Sequence, residues 1–442
     1  MFSKLKKSLK NIDYKFFTAL LVLGFVPTIY TTIRVFFLGQ LPGEWSFSIA
    51  GQLSWVNLIY EILNEAIILP LFYFVGKVKA DKKEFSNRVR TGLLLSFTVY
   101  TLLSMIVIIF AEPMLQIMAT DLSIVGPSAI YIRIESIANI FLILMQFSLV
   151  VLVTINKSKY LYAFTGARLV LCLISDTFLV SNLPVSANLG VNGIGYSNII
   201  VNAILFAVSL WFLSKENMKV FAKEKLDFKW SKEFFRVGGI SGVESLVRNM
   251  AYMVMIARMV NVVGEQGTYW VANNFIWGWL LLPVLQLGEL IKQEVAADKE
   301  NIRKNSLGYF GITVIFTVLW FVSIPVWKPF MLHVLRFADV DKLFELVMLL
   351  VGFYVLYAIQ NVFDSTFYGF GKTNYMLFES VVTNTVYYGV AFILYKMNIW
   401  IPSLTGIALL FGIGNVFDGI VSLAAYIHLL KKQKINILDV EV

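Results

Sequence analysis

The sequence has very few of the side chains from which metal clusters, disulfide frameworks and most catalytic triads are built. Its 442 residues include one cysteine, Cys172, and two histidines, His333 and His428. A single cysteine excludes a disulfide within the chain and a cysteine-based metal cluster. The phosphate-binding pattern G-x-x-x-x-G-K-[ST] is also missing, so we do not expect ATP hydrolysis. The sequence therefore predicts neither an enzyme nor a bound cofactor.

Charged residues are scarce too, at 15% of the chain against 58% hydrophobic residues. A soluble domain carries about 25% charged residues. Apolar windows of about 20 residues, the length of a membrane-spanning helix, recur twelve times. The predicted spans are residues 16–38, 46–76, 91–112, 128–154, 161–183, 190–214, 237–262, 268–291, 306–327, 343–370, 374–396 and 403–430. This predicts an all-α polytopic membrane protein with twelve transmembrane helices.

The net charge of +9 is distributed unevenly along the chain. Most lysines and arginines precede span 1 or follow the even-numbered spans, whereas the opposite loops are nearly free of them. Cytoplasmic loops carry such an excess, so both termini are predicted to be cytoplasmic, in a plasma (inner) membrane. The basic charge therefore indicates orientation in the membrane, and we expect no nucleic-acid partner.

Short stretches of the first half recur in order in the second half, about 215 residues later. The pairs are 156–160 (NKSKY) with 371–375 (GKTNY), 80–82 with 297–299 (both ADK), 112–115 (EPML) with 328–332 (KPFML), and 192–194 (NGI) with 405–407 (TGI). A duplicated membrane chain is typical of transporters whose halves move around a central site. We expect six-helix bundles at 1–214 and 237–442. The linker, 215–236, is predicted to be an amphipathic helix on the inner leaflet, with a solvated linker as the alternative.

Ionisable residues inside the spans are the main functional candidates, because a charge in the bilayer is costly and faces the protein interior. They are Arg34, Glu61, Glu65, Arg133, Glu135, Arg168, Asp176, Glu244, Arg248, Arg258, Glu289, Asp364, Glu379 and Asp418. Glu244 and Arg248 share a helix face, either as a structural ion pair or as a titratable site. Asp176 has no basic neighbour in sequence, and Asp364 lies in a polar stripe with Gln360 that is predicted to line a cavity.

The remaining intramembrane groups have structural alternatives. Arg133 and Glu135 are predicted to anchor the outer end of span 4. Two further polar groups, Glu61 with Glu65 and Asn415 with Asp418, are predicted to join helices by hydrogen bonds. Aromatic residues able to stack on an organic cation are Trp55, Trp270, Trp277, Trp279, Tyr387 and Tyr388, although most aromatics of the chain must serve packing.

Several motifs together resemble the multidrug and toxic compound extrusion (MATE) family of the multidrug, oligosaccharide-lipid and polysaccharide (MOP) exporter superfamily. Residues 239–244 (GISGVE), followed by 271–274 (VANN), resemble the family's helix-7 pattern ending in Glu244 and the start of helix 8 at Asn273. Residues 172–179 resemble its helix-5 motif, with Asp176 as the acid and Cys172 where asparagine is usual. Residues 189–195 (LGVNGIG) and 367–373 (FYGFGKT) resemble its helix-6 motif and the loop after helix 10.

The resemblance implies two six-helix bundles around a central cavity and efflux of organic cations in exchange for protons or sodium. The expected binding residues are Asp176, Glu244, Asp364, Arg34, Asn273 and Gln360. No metal is expected apart from a sodium ion at Glu244 and Asp364. Partners would be a small-molecule substrate and membrane lipids, and the transporter would work as a monomer.

One departure from the family pattern changes the expected coupling. In residues 30–39 (YTTIRVFFLG), Arg34 stands where many members carry an acid. A permanent cation there is expected to neutralise Asp176 and to shift coupling towards Glu244 and Asp364. It also admits an anionic or zwitterionic substrate. The alternative function is therefore a flippase for a lipid-linked saccharide or another amphipath, with Arg34, Arg133 and Arg248 binding its phosphate.

Overall fold

The computed structural model describes residues 2–41, 45–155, 157, 159–216, 218, 220 and 225–436, and every regular element in these ranges is helical. The α-helices are α1 (Phe2–Lys10), α2 (Tyr14–Leu38), α3 (Ser46–Gly76), α4 (Lys82–Ile117), α5 (Leu122–Thr154), α6 (Lys159–Leu179), α7 (Val191–Lys215), α8 (Ser231–Ala251), α9 (Arg258–Val262), α10 (Gln266–Phe275), α11 (Leu282–Ala297), α12 (Asn301–His333), α13 (Val340–Gly369), α14 (Asn374–Val382), α15 (Gly389–Lys396) and α16 (Leu404–Gln433). Three π-helical segments continue them at Tyr252–Ala257, Ile276–Leu280 and Thr383–Tyr388. The predicted all-α fold class is confirmed.

Ten helical stretches are long and apolar enough to cross a membrane. An eleventh results if Gln266–Leu280 and Leu282–Ala297, which meet at a bend of 53°, count as one span. The remaining predicted span, 237–262, falls on α8, the first π segment and α9. It is less apolar than the others because α8 carries Glu244 and Arg248 as well as a charged first turn. Each predicted span thus corresponds to a helical stretch.

The internal repeat is visible in the way equivalent helices begin. The side chain of Asp81 accepts the backbone N–H two residues later at 3.0 Å at the start of α4, and Asp298 does the same at 3.0 Å before α12. Such bonds satisfy N–H groups that a first helical turn leaves unpaired. The turns before α5 and α13 each contain one left-handed residue, Ala119 (φ 57°) and Arg336 (φ 54°). Matching local structures at nearly one offset support the duplication.

The chain forms two compact units, which we call the N unit (Ile33–Asn249) and the C unit (Met1–Thr32 with Met250–Val442). These units differ from the predicted bundles 1–214 and 237–442 at three helices. Helix α1 and the first part of α2 belong to the C unit, and most of α8 belongs to the N unit.

Within the N unit, the last part of the linker is docked on α4. Asn87 forms two bonds with the backbone of Asp227, donating to its carbonyl at 2.9 Å and accepting its N–H at 2.9 Å. Trp230 donates to Thr91 at 3.1 Å. The N–H of Lys229 holds the pKa of Asp227 below its usual value. The predicted amphipathic helix is wrong for residues 225–230, which these contacts hold in a non-helical conformation that ends in a turn at residues 229 and 230. Residues 217, 219 and 221–224 of the linker lie outside the described residues.

Within the C unit, a core of aliphatic and aromatic side chains joins α11, α12, α13 and α16, with Leu287, Tyr309 and Phe367 fully buried. Helix α1 packs on α12, where the buried Ser8 hydroxyl accepts the Gly308 N–H at 2.8 Å. This core holds the polar faces of α13 and α16 in register, and the candidate site described below depends on those faces.

Candidate functional site

Arg34 of α2 and Asp176 of α6 form a buried ion pair in the N unit. The Arg34 Nε donates to Asp176 Oδ2 at 2.7 Å and its Nη2 donates to Oδ1 at 3.2 Å, so the contact is bidentate. Asp176 is 0% exposed and Arg34 is 8% exposed. Asp176 is therefore not the unpaired acid that its sequence neighbourhood indicates. The neutralising partner expected from the departure in span 1 is present.

A second acid lies near this pair. Glu135 of α5 is 4% exposed and accepts a hydrogen bond from Asn198 Nδ2 at 2.8 Å. Arg34 and Arg168 both act electrostatically on its carboxylate. The interfacial role predicted for Glu135 is wrong, because α7 covers it and supplies its partner. The N unit thus places two carboxylates beside two guanidinium groups, and the charges of this cluster balance.

Arg133, by contrast, lies towards the surface. It donates to Glu112 at 3.0 Å, with 37% of its own side chain and 49% of the Glu112 side chain exposed. An exposed pair of this kind stabilises a protein by about 0–1 kcal/mol. The prediction that Arg133 and Glu135 have separate partners is confirmed. Residues two positions apart on a helix do not face each other.

Glu244 lies where α8 packs closely on α3. A Cβ on Gly238 would lie 2.0 Å from the Ala66 carbonyl oxygen, and one on Gly242 would lie 2.9 Å from the Ala66 Cβ. This approach brings α3 within reach of α8, and Arg248 donates to Glu65. Arg248 thus has a carboxylate partner on α3 in addition to its electrostatic interaction with Glu244. Spacing puts two side chains on one face but does not exclude a better partner on the next helix. Glu244 is half-buried, within electrostatic range of Arg248.

The C unit contains a different kind of cluster, built on α13 and α16. The Gln360 Nε2 donates to Asp418 Oδ2 at 2.6 Å and lies 3.3 Å from Asp364 Oδ2. One nitrogen thus bridges two carboxylates, whose oxygens are within about 6 Å of each other. Asp418 Oδ1 also accepts from Thr383 at 2.6 Å, and Asp364 Oδ1 accepts from Ser422 at 2.7 Å. The polar stripe predicted for span 10 is therefore the centre of a hydrogen-bond network.

Glu379 of α14 completes this group, which we call the carboxylate cluster (Asp364, Asp418 and Glu379). It is 3% exposed, and both aspartates act electrostatically on it. In the part of the chain that the structure describes, no lysine or arginine forms an ion pair with the three acids. The sequence interpretation chose Asp364 and Gln360 but not Glu379 or Asp418 as site residues. A signal was available, because spans 10 and 12 and residues 374–395 of span 11 hold these acids and neither lysine nor arginine.

Aromatic rings continue from the cluster along the same helix faces. Tyr357 lies on the face of α13 that carries Gln360 and Asp364, and its ring centroid is 5.6 Å from that of Trp277. The Trp277 Nε1 donates to Tyr354 at 3.2 Å. Asn273 donates to Tyr252 at 3.5 Å, the limit for such a bond. The C unit thus combines buried acids with neighbouring aromatic rings. Trp55 is instead a core residue, 2% exposed.

The predicted sodium ligands, Glu244 and Asp364, belong to different compact units. Among the described residues, no group of three or more histidine, cysteine, aspartate or glutamate side chains is arranged to hold a metal ion. The contacts of the carboxylate cluster are hydrogen bonds from neutral donors.

A polytopic helical chain with an internal duplication and buried carboxylates is typical of membrane transporters. The MatE family model matches residues 78–178. No match is found among the curated proteins. The chain is therefore similar to the MatE family over this segment, and the rest of the comparison depends on solved structures.

Solved structures of MATE-type transporters share the fold over nearly the whole chain. One is a multidrug-resistance MATE transporter of the MOP superfamily in an inward-facing conformation, with a TM-score of 0.73 and 16% identity over 92% of this chain and 95% of that one. Another is a mutant MATE transporter from Vibrio cholerae, with a TM-score of 0.68 and 15% identity over 97% and 98%. A third, from Pyrococcus furiosus, is a MOP transporter described by a reversed polarity of its binding pocket, with a TM-score of 0.67 and 16% identity over 97% and 98%. The resemblance drawn from the motifs is confirmed, and the chain has the MATE transporter fold.

Proposed function

We propose that the protein is a secondary active exporter of organic cations, driven by a proton or sodium gradient and working by alternating access. The coupling site is the carboxylate cluster of the C unit, with Asp364 at its centre. Binding of a cation or a proton to one state more tightly than to the other shifts the balance between the states. A gradient of that ion can therefore drive the change.

The observation that supports this assignment is the difference in charge between the two units. In the N unit, Arg34 occupies both oxygens of Asp176. In the C unit, Asp364 has only neutral hydrogen-bond donors, Gln360 and Ser422. A buried carboxylate without a counter-charge binds a cation or a proton far more readily than one already paired. Arg34 thus acts as a permanent neutraliser, and coupling is assigned to the C unit.

The aromatic residues next to the cluster support an organic cation as the substrate. A cation over an aromatic face is attracted by about 0.5–2 kcal/mol, and the attraction is greatest when water is excluded. Tyr357 provides such a face on the side of α13 that carries Asp364, and Trp277 packs against Tyr357. Asn273 and Tyr252 add polar groups that orient a substrate.

The contacts of the arginines weigh against the flippase alternative. Arg34, Arg133 and Arg248 each have a carboxylate partner within their own unit. A phosphate group would have to displace these partners. The reversed pocket polarity of the Pyrococcus furiosus relative suggests a different function for that protein. A test of this chain with anionic substrates is therefore worthwhile.

The proposed orientation has both termini in the cytoplasm and the chain, as a monomer, in the plasma (inner) membrane. It is supported by the basic residues that flank the predicted cytoplasmic ends of the spans. Cysteine labelling from either side of the membrane, with Cys172 buried and unreactive, would test it.

Transport in liposomes tests the proposed function. Purified protein should accumulate a fluorescent organic cation under an imposed proton or sodium gradient, and empty liposomes should not. We expect Asp364→Asn to reduce gradient-driven accumulation about tenfold or more, because it removes the charge that distinguishes the two states. Asp341→Asn is the matched control, since Asp341 lies on the same helix, is exposed and is paired with Lys328.

Glu244 is the second coupling candidate and receives its own variant. We expect Glu244→Gln to lower coupled efflux without lowering the amount of protein in the membrane, because its half-buried carboxylate adds negative charge near Arg248. Unchanged efflux would reject Glu244 as a coupling residue. Equal accumulation by wild type and Asp364→Asn would reject the C unit as the coupling unit.

A further inference from the structure

Glu379 has a buried oxygen without a hydrogen-bond partner. Its Oε1 is completely enclosed and accepts no hydrogen bond. The Oε1 of Gln360, which donates to the cluster, is likewise buried and accepts no hydrogen bond. Both side chains are 3% exposed. A buried polar atom left without a hydrogen-bond partner destabilises the folded state. Two unpaired acceptors in one network therefore indicate that the network binds something that donates hydrogen bonds.

A count of hydrogen-bond groups leads to the same conclusion. The three carboxylates offer six acceptor oxygens, each with room for more than one bond. Their described donors are the Gln360 amide and the hydroxyls of Thr383 and Ser422. An ionised carboxylate only accepts hydrogen bonds, whereas a protonated one also donates. A proton on the cluster therefore reduces the shortage of donors and removes a negative charge at the same time.

The charged groups nearest to Glu379 are the other two carboxylates of the cluster. Asp364 on α13 and Asp418 on α16 both repel its ionised form. Lys292 on α11 acts on Asp364, but its ammonium group is bound to Glu289 at 2.6 Å. His428 on α16 lies beside Tyr375, and their ring centroids are 6.1 Å apart. Tyr375 precedes Glu379 by one turn of α14. Two carboxylates that share a site do not ionise independently, and one of them holds a proton.

We propose that Glu379 is a proton-carrying residue of the coupling site. It holds a proton beside Asp364 and Asp418, and it releases that proton when a cation enters the cluster. One proton leaves as one positive charge arrives, so the charge of the cluster is unchanged through the exchange. This inference rests on the proposed function and adds to it the residue from which the proton is exchanged.

Infrared spectroscopy of the protein in liposomes tests the inference without transport. Protonated carboxyl groups absorb at a C=O stretching frequency that ionised groups lack. At neutral pH we expect the wild type to show this band and Glu379→Gln to lose the intensity of one carboxyl group. Glu345→Gln is the control, because Glu345 is an exposed glutamate of the same unit, and it should leave the band unchanged. A full band in Glu379→Gln would overturn the proposal.

A second measurement uses the unaltered protein in case the variant does not fold. A hydrophobic carbodiimide reacts with protonated carboxyl groups in apolar surroundings, and mass spectrometry locates the label. We expect Glu379 to be labelled at neutral pH and to be protected by tetraphenylphosphonium, an organic cation that cannot titrate. Labelled Asp364 with unlabelled Glu379 would overturn the proposal. If Glu379 is labelled but no gradient drives transport, the proposed function fails while the proton-holding role stands.

Discussion

Replacing Arg34 with alanine should destabilise the protein by about 3–5 kcal/mol, the cost of leaving one member of a buried ion pair alone. Asp176 is fully buried and both its oxygens are bound by this arginine. Without Arg34 the carboxylate must remain charged in an apolar environment or take up a proton, and both outcomes cost free energy. The measurement is thermal unfolding of the purified protein in detergent.

Two variants separate loss of the pair from loss of packing. The double variant Arg34→Leu with Asp176→Leu should recover most of the lost stability, because replacing both members of a buried pair by apolar residues is often neutral or stabilising. Arg133→Ala is the exposed control and should change stability by about 1 kcal/mol at most. If Arg34→Ala unfolds like Arg133→Ala, the buried pair does not contribute as the geometry indicates.

Gly238→Ala should disrupt the contact between α3 and α8 and destabilise the protein. The added Cβ would lie 2.0 Å from the Ala66 carbonyl oxygen, which is backbone and moves only with α3 itself. Overpacking of this kind costs about 1–3 kcal/mol and sometimes more. The helices would separate, and the Arg248–Glu65 contact would be weakened. Thermal unfolding and the gradient-driven accumulation assay both report the change.

The adjacent glycine supplies the matched control. A Cβ on Gly239 meets no atom within 4 Å. Gly239→Ala should therefore be neutral or stabilising by up to about 1 kcal/mol, because alanine favours the helix more than glycine does. Equal destabilisation by the two substitutions would show that helix propensity and local backbone, not the approach to Ala66, determine the outcome.

The fold followed from the sequence because each span is a local property of about 20 residues. Apolar windows locate the helices, and the shared offset of short matches indicates the duplication. The division into compact units did not follow. It depends on which neighbouring helices each part of α2 and of α8 packs against. The linker prediction was wrong for residues 225–230 because their contacts with Asn87 are not local in sequence.

The candidate site followed only where a motif or a departure from one marked a residue. The sequence predicts that Arg34 neutralises Asp176 because both residues fall on positions of the family motifs. Glu379 and Asp418 were not selected, because their link to Asp364 depends on how three helices pack. The contact of Arg248 with Glu65 was not predicted either, for a related reason. The spacing of four residues indicates which groups are near on one helix, but a neighbouring helix offered Glu65.

The two compact units are joined inside helices and not by flexible loops. The boundary falls after Thr32 within α2 and after Asn249 within α8. Because both connections are continuous helices, a movement of either unit would twist and bend them. No flexible loop lies at either boundary to absorb that movement. Each of the two helices is irregular near its boundary. The irregularity is Pro27 in α2 and the π segment Tyr252–Ala257 that follows α8. If transport moves one unit as proposed, these are the positions at which the two helices are expected to bend.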